Sequence, residues 1–574
     1  MLPLSSSDSI HNRDVISFAL FVLAAVDFVP IPASVTETLD AATGMKRAVR
    51  IDGFEISRTE IRQREYESVT GANPSAHTGP DLPVENVSWF DAIRFANAYS
   101  ASKGVEPCYD VTTGQRIRPQ CRGYRLPTDA EWYRAFETRD DPTNSASANL
   151  GLEQTSNAVP LDRLATRAVD DTGKGVRDLA GNVWEWCEDW FRPVTSPWPL
   201  HNPRGALRGL TRVVRGGSFH TTRTSWSRSL RSSLDPNARS RHTGIRLVRS
   251  TGQVAPMVPE FDTQAAPQKK FESVAALRAK PSIDKWLAVL GEPRGLRRDT
   301  PPNVRLLRTF EDGFLQGKIM EYESEPGVWE KFAVMEGALP AERALPRPVV
   351  IVPYYDVDTP AGMDLAGRGF NNLPAVWFAR HAAQMGFIAV AVRWFGESDG
   401  ERYDEVVANL RQRQPGLTGL GKWVWDSKRL IDYIETIPGV DKNRIGMIGH
   451  SLGGKMTLYA AATDPRIRAA VVSEPGIAFG FTNYNDYWYL GERLAQFQAG
   501  TDQHELIGLI APRPLLLIAG EESDGDKSWP YLEAARGLYP NGADLGWLNH
   551  RSGHTPSVEA VAKAMVWLAA RLER

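Results

Sequence analysis

Short apolar runs closed by glycine, proline or polar clusters recur along the second half of the chain. They include Pro348-Val349-Val350-Ile351-Val352-Pro353-Tyr354-Tyr355, Phe387-Ile388-Ala389-Val390-Ala391-Val392, Arg444-Ile445-Gly446-Met447-Ile448 and Ala469-Ala470-Val471-Val472. Pro514-Leu515-Leu516-Leu517-Ile518-Ala519-Gly520 and Leu545-Gly546-Trp547-Leu548-Asn549-His550 complete the series. Stretches with the 3.6-residue period of a helix fall between them, at 425–437 and 455–462, and again at the C-terminal end. Continuous apolar strands alternating with helices predict a mostly parallel sheet covered on both faces.

The first half follows neither period for long. It is rich in Gly, Pro, Asn and Trp. Residues 251–270 are rich in Pro, Gln and Ala and read as an exposed linker. The resulting division is 27–250, a linker at 251–274, and 275–574. A chain of 574 residues with 42% hydrophobic and 24% charged residues is long enough for two cores. Its net charge of −2 leaves no basic footprint for nucleic acid. Residues 16–26 are apolar but too few to span a membrane, and Asp8, Arg13 and Asp14 precede them where a signal peptide carries positive charge. Three cysteines suit a bacterial cytoplasm or periplasm equally, so the compartment stays open.

Gly449-His450-Ser451-Leu452-Gly453 lies between a strand run and a helix run. In that context G-x-S-x-G is a sharp turn that lifts a nucleophilic serine, Ser451, clear of the sheet. Activating it requires a histidine and a carboxylate, in the chain order serine, acid, histidine. His554, in the loop after the last strand run, is the expected general base, with His550 the alternative; His450 is expected to pack under the turn. For the acid, spacing from Gly520 favours Asp524, whereas spacing back from Trp529-Pro530 favours Asp526, the first choice. Glu474, ending the preceding strand run, is a third candidate. The amide of Leu452 and the phenol of Tyr355 or Tyr354 are expected to stabilise an oxyanion. The aromatic stretch 476–490 either lines a pocket or caps the sheet; Tyr484, Trp488 and Trp394 are the candidate pocket residues.

These residues and their order resemble the α/β-hydrolase superfamily, in particular its dienelactone-hydrolase and acetyl-xylan-esterase-like branches, over roughly 275–574. The resemblance implies a serine esterase that works through an acyl-enzyme and requires no cofactor for ester hydrolysis. Lys455 resembles a position in glucuronoyl esterases, whose substrates are carbohydrate esters; a small-molecule or carbohydrate ester is the expected substrate.

In the first half, Arg125-Leu126-Pro127-Thr128-Asp129-Ala130-Glu131-Trp132, Asp178-Leu179-Ala180-Gly181-Asn182-Val183-Trp184-Glu185-Trp186, Val214-Arg215-Gly216-Gly217-Ser218-Phe219 and Gly244-Ile245-Arg246-Leu247-Val248 occur in order. Together they resemble the formylglycine-generating-enzyme, or sulfatase-modifying-factor, domain, which implies an irregular α+β, C-type-lectin-like fold, and the abundance of Gly, Pro, Asn and Trp agrees with it. Members of that family bind copper through two cysteines whose places are taken here by Thr221 and Trp226. No thiolate is available there, which implies a noncatalytic domain with a glycan or protein ligand. The resemblance also places a structural calcium at Asn182 and Glu185. Cys108 and Cys121 bracket a hairpin that a disulfide would close, leaving Cys187 over. His220 and His242 stand far apart in the chain with no recognisable partner. The rival readings are an interaction protein built from two retired enzymes, and a metal-dependent oxidase in the first half.

Overall fold

The computed structural model describes residues 25–39, 46–118, 121–136, 150, 175–191, 200–205, 209–255, 262–263, 265–311, 315–337, 346–365, 369–400 and 402–572. Most of the apolar stretch 16–26 lies outside the described residues. Among the described residues no helix is long and apolar enough to cross a membrane.

In the C-terminal part, nine strands form one mixed sheet. They are β1 (Val304–Glu311), β2 (Leu315–Glu325), β3 (Val328–Gly337), β4 (Arg347–Tyr354), β5 (Ile388–Arg393), β6 (Val440–His450), β7 (Ile467–Ser473), β8 (Leu515–Ala519) and β9 (Leu545–Asn549). The order across the sheet is β1-β2-β3-β5-β4-β6-β7-β8-β9. β1, β2 and β3 pair antiparallel, β3 pairs antiparallel with β5, and every pairing from β5 to β9 is parallel. The three antiparallel strands escape the apolar-run reading because β1 is exposed along most of its length.

The parallel strands read as unbroken apolar runs because both their faces are buried. Val349 and Ile351 of β4 pack into one core cluster while Val350 and Val352 enter the other. Ile388, Val390 and Val392 of β5 divide from Ala389 and Ala391 in the same way. Two helices, α1 (Gly419–Ile434) and α2 (Leu452–Thr463), feed the first cluster, and α3 (Val558–Leu572) feeds the second. α1 begins six residues before the sequence-based start at 425, because Thr418 caps it through a 3.0 Å bond from the amide of Gly421.

The stretch expected as an exposed linker is partly anchored. The amides of Gln268 and Lys269 donate to Asp526 at 3.0 and 2.8 Å, and the carbonyl of Thr263 accepts from the amide of Trp547 in β9.

The N-terminal part is built from short strands and loops around two clusters of its own. Phe54–Ser57 lies between Phe28–Ile31 and Val248–Ser250, and Trp184–Trp190 lies between Arg212–Arg215 and Thr243–Gly244. The string Arg125 to Trp132 is accounted for by local bonding. Thr128 caps the helix Asp129–Ala135 while Glu131 closes a capping box and takes the Arg125 guanidinium on both oxygens at 2.7 and 2.6 Å. Cys108 and Cys121 form a disulfide, and Cys187 is a buried free thiol.

Glu185 and Arg246, both without exposed side-chain surface, form the central ion pair of this part. Three guanidinium bonds of 2.6–2.8 Å and one of 2.7 Å from the Trp132 indole satisfy the carboxylate. Removing one partner leaves the other charge stranded out of water. Arg246→Met is expected to destabilise the N-terminal part by about 3–5 kcal/mol, read from the midpoint of its denaturant unfolding. A change under about 1 kcal/mol would show that the pair is not what holds these strands together.

Candidate active site

Ser451 occupies the single-residue turn between β6 and α2, with φ +56° and ψ −116°. A non-glycine residue is costly there and persists only when its surroundings hold it. The amide of Ser451 donates to the carbonyl of Ser473 at 2.8 Å, tying the turn to the end of β7. Gly449 and Gly453 make the close approach feasible: a Cβ on Gly449 would strike the Gly453 carbonyl, and one on Gly453 the Pro353 carbonyl.

His554, in the loop after β9, places Nε2 2.8 Å from Ser451 Oγ. Its Nδ1 faces two oxygens, Ser523 Oγ at 2.7 Å and Glu474 Oε2 at 3.3 Å. Glu474 follows β7 directly, with φ +52° and a side chain that has no exposed surface. Its other oxygen, Oε1, bonds Nε2 of His550, whose Nδ1 lies 2.6 Å from Ser552 Oγ.

This arrangement corrects the expected acid. Asp526 accepts from the amides of Gln268 and Lys269, from Asn549 at 3.0 Å and from Arg551 at 3.2 Å, so its oxygens fasten residues 268–269 to the loop after β9. Asp524 is buried and accepts the amides of Gly476 and Ile477 at 2.9 and 2.6 Å, clamping the turn that follows Glu474. Burial pushes Asp524 up to about 6, against those two amide bonds. The acid that meets His554 is therefore the third candidate. A signal for it is present in Ser473-Glu474-Pro475-Gly476, a turn sequence directly at a strand end, but nothing in the sequence shows that the turn lies beside residue 554. His450 does pack below: its ring centroid is 4.8 Å from that of His554, its Nδ1 is 3.1 Å from Ser473 Oγ, and burial drives its pKa down to about 3.

Burial raises the pKa of Tyr355, and the neighbouring Ser451 hydroxyl opposes the rise. Tyr354 stacks edge-on against Tyr355 at 5.1 Å, and burial raises its pKa too. Among the candidate pocket residues, Trp394 and Tyr484 have no exposed surface and so offer none to a ligand. The Tyr484 hydroxyl instead holds the carbonyl of Pro475 at 3.0 Å. Trp488 is half-buried and stacks on Tyr403 at 5.4 Å. Lys455, one turn along α2 from the serine, lies 4.8 Å from the Tyr484 ring and 5.5 Å from that of Tyr489.

Residues 31–251 match the model of the sulfatase-modifying factor enzyme 1-like domain, and residues 397–498 that of fungal glucuronyl esterase. The chain is similar to a sulfatase-modifying-factor domain in its N-terminal part and to glucuronyl esterase over part of its C-terminal half. Chaperone protein LppX of Paenibacillus barcinonensis is 27% identical over 239 residues, covering 35% of this chain and 82% of that protein. A formylglycine-generating enzyme of Streptomyces coelicolor is 28% identical over 246 residues, 39% of this chain and 68% of that one. Among solved structures, a glucuronoyl esterase from Solibacter usitatus is 17% identical, with a TM-score of 0.42, covering 54% of this chain and all (100%) of its own.

In the sulfatase-modifying-factor domain, the two positions that carry copper-binding cysteines in the resembling family serve the local backbone. Thr221 Oγ1 accepts the amide of Ser218 at 2.9 Å, and the Trp226 indole donates to the carbonyl of Gly216 at 2.7 Å. Asn182 and Glu185 do not fit a calcium ion: both oxygens of Glu185 already take the Arg246 guanidinium, whose charge opposes a cation, and the Asn182 amide nitrogen faces Glu60 at 3.1 Å. His220 and His242, distant in sequence, meet with ring centroids 4.6 Å apart because the loops after Gly217 and before Thr243 converge beside Phe219. Among the described residues no group of three or more His, Cys, Asp and Glu is arranged to hold a metal ion.

Burial lowers the Lys455 ammonium to about 8, with Asp524 and Asp486 opposing the shift. Between about pH 8 and its unfolded value near 10.4 the unfolded chain binds the proton and the folded chain does not, so this group adds stability as pH rises through that window. Relative to Lys455→Met, the wild-type melting temperature is expected to climb between pH 8 and 10; parallel curves would mean that the ammonium is hydrated rather than buried.

Proposed function

We propose that the glucuronyl esterase-like domain is a serine carboxylic ester hydrolase of the α/β-hydrolase type, acting through an acyl-enzyme with Ser451, His554 and Glu474. The observation that carries this reading is the convergence of Ser451 Oγ on His554 Nε2 at 2.8 Å, with the buried Glu474 carboxylate on the far side of the imidazole. His554 Nε2 takes the Ser451 proton as Oγ bonds to the ester carbonyl carbon. The tetrahedral intermediate collapses as the same proton passes to the departing alcohol oxygen. Water then repeats the sequence: His554 removes its proton, the hydroxide oxygen bonds to the acyl carbon, and Ser451 recovers a proton as the acid leaves. The Leu452 amide, at the start of α2, and the Tyr355 phenol are the proposed donors to the oxyanion. Tyr354 supports Tyr355 rather than the substrate.

A carbohydrate ester whose acyl group carries hydroxyls or a second polar edge suits the site. Lys455 supplies a cationic donor beside the serine, Trp488 supplies a half-exposed aromatic face, and both fall inside the segment that matches glucuronyl esterase. The sulfatase-modifying-factor domain, with its copper positions spent on backbone bonds, is proposed to adopt a C-type-lectin-like fold and to bind a glycan or protein ligand without chemistry of its own.

Ser451→Ala is expected to abolish hydrolysis of short-chain p-nitrophenyl esters and labelling by a fluorophosphonate. Glu474→Gln should lower kcat by about 10²–10⁴-fold, whereas Asp526→Asn should leave it within about three-fold of wild type. The opposite ranking of Glu474 and Asp526 would return the acid to β8, and wild-type protein that neither turns over ester nor takes the label would remove the hydrolase reading.

A further inference from the structure

A general base must present a bare Nε2 to the serine, so the imidazole of His554 has to carry its proton on Nδ1. The nearest acceptor for that proton is the hydroxyl of Ser523 at 2.7 Å; Glu474 stands further away at 3.3 Å. Glu474 is also shared, since its Oε1 is occupied by Nε2 of His550. We infer that Ser523 and His550 are positioning residues of the active site, Ser523 holding the His554 ring at Nδ1 and His550 fixing the carboxylate that stabilises its charged form.

The inference rests on the hydrolase reading above, and its argument is one of completed bonding. Glu474 is cut off from water, so each of its oxygens needs a donor. His550, whose side chain is 2% exposed, serves Oε1 as an Nε2–H donor because a carboxylate can only accept, and its Nδ1 lies 2.6 Å from the Ser552 hydroxyl. Oε2 is thereby left turned towards His554. Gly520 makes room for this arrangement, because a Cβ there would run into both carboxylate oxygens. The other ionisable groups around the network are His450, whose ring lies 4.8 Å from His554, and Asp524, whose charge acts on Glu474 from the following strand. A hydroxyl at Nδ1 orients the ring without adding a second buried charge beside Glu474, dividing between two side chains what one carboxylate does in a simple triad.

The test uses the full-length protein as wild type, Ser523→Ala, Ser523→Thr, His550→Phe and His550→Gln. It measures the pH dependence of p-nitrophenyl ester hydrolysis together with imidazole ¹⁵N resonances after histidine labelling. Ser523→Ala is expected to lower kcat about ten-fold with KM unchanged and to move the acid limb of kcat/KM to lower pH, because the charged imidazole loses an acceptor. It should also diminish the Nδ1–H signature of His554. Ser523→Thr, which keeps the hydroxyl, and His550→Gln, which keeps a donor, should recover most of what Ser523→Ala and His550→Phe lose. Unchanged kcat and acid limb in both Ser523→Ala and His550→Phe would overturn the inference. If the wild type hydrolyses no ester, the parent reading fails by itself; the resonances still decide this one, since His554 Nδ1 signals that are unchanged in Ser523→Ala refute the role assigned to it.

Discussion

The strained backbone at Ser451 is the constraint around which the C-terminal part is arranged. A serine held at φ +56° between β6 and α2 requires a glycine on each side of it, a carbonyl from β7 to receive its amide, and a strand close enough that residue 453 carries no side chain. In return the hydroxyl is fixed relative to the sheet, and the start of α2 presents amides where charge would develop. The remaining groups then come to it from the carboxyl ends of parallel strands: Tyr355 after β4, Glu474 after β7, Ser523 after β8 and His554 after β9.

The carboxylates near this point differ in what their surroundings ask of them. Asp524 sits where no water reaches it and holds two amides of the turn after Glu474, so its value is geometric. Asp526, lowered by amide bonds and by Arg551, holds the chain segment that leads into the domain. Glu474 alone combines a buried side chain with contact to His554. Three acids within reach of one loop system thus divide into a turn clamp, a chain anchor and a partner for the imidazole, a division set by neighbours rather than by residue type.

The sulfatase-modifying-factor domain follows the same physics without the same outcome. Beside its two apolar clusters, its interior holds buried ion pairs, with Arg246 on Glu185 and Arg125 on Glu131. Several of those bonds fall within the strings that carry the resemblance, Arg125 to Trp132 and Gly244 to Val248.

Much was legible in the sequence because it depends on neighbours along the chain. The parallel strands, the turn at Ser451 and the histidine that meets it each leave a local trace, in apolar runs buried on both faces, glycines at a tight approach, or a histidine after the last strand. The ordered motifs of the first half carry its resemblance to the sulfatase-modifying-factor domain for the same reason. What the chain could not show was any choice among residues similar in type and spacing. Glu474 displaces Asp526 and Asp524, Tyr484 and Trp394 fill the core instead of lining a pocket, Arg246 takes the oxygens expected to hold calcium, and His220 meets His242 across sequence distance. Each of these was decided by which side chains the folded sheet and loops bring within a few ångströms, because bonding and burial act through space and spacing along a chain does not measure it.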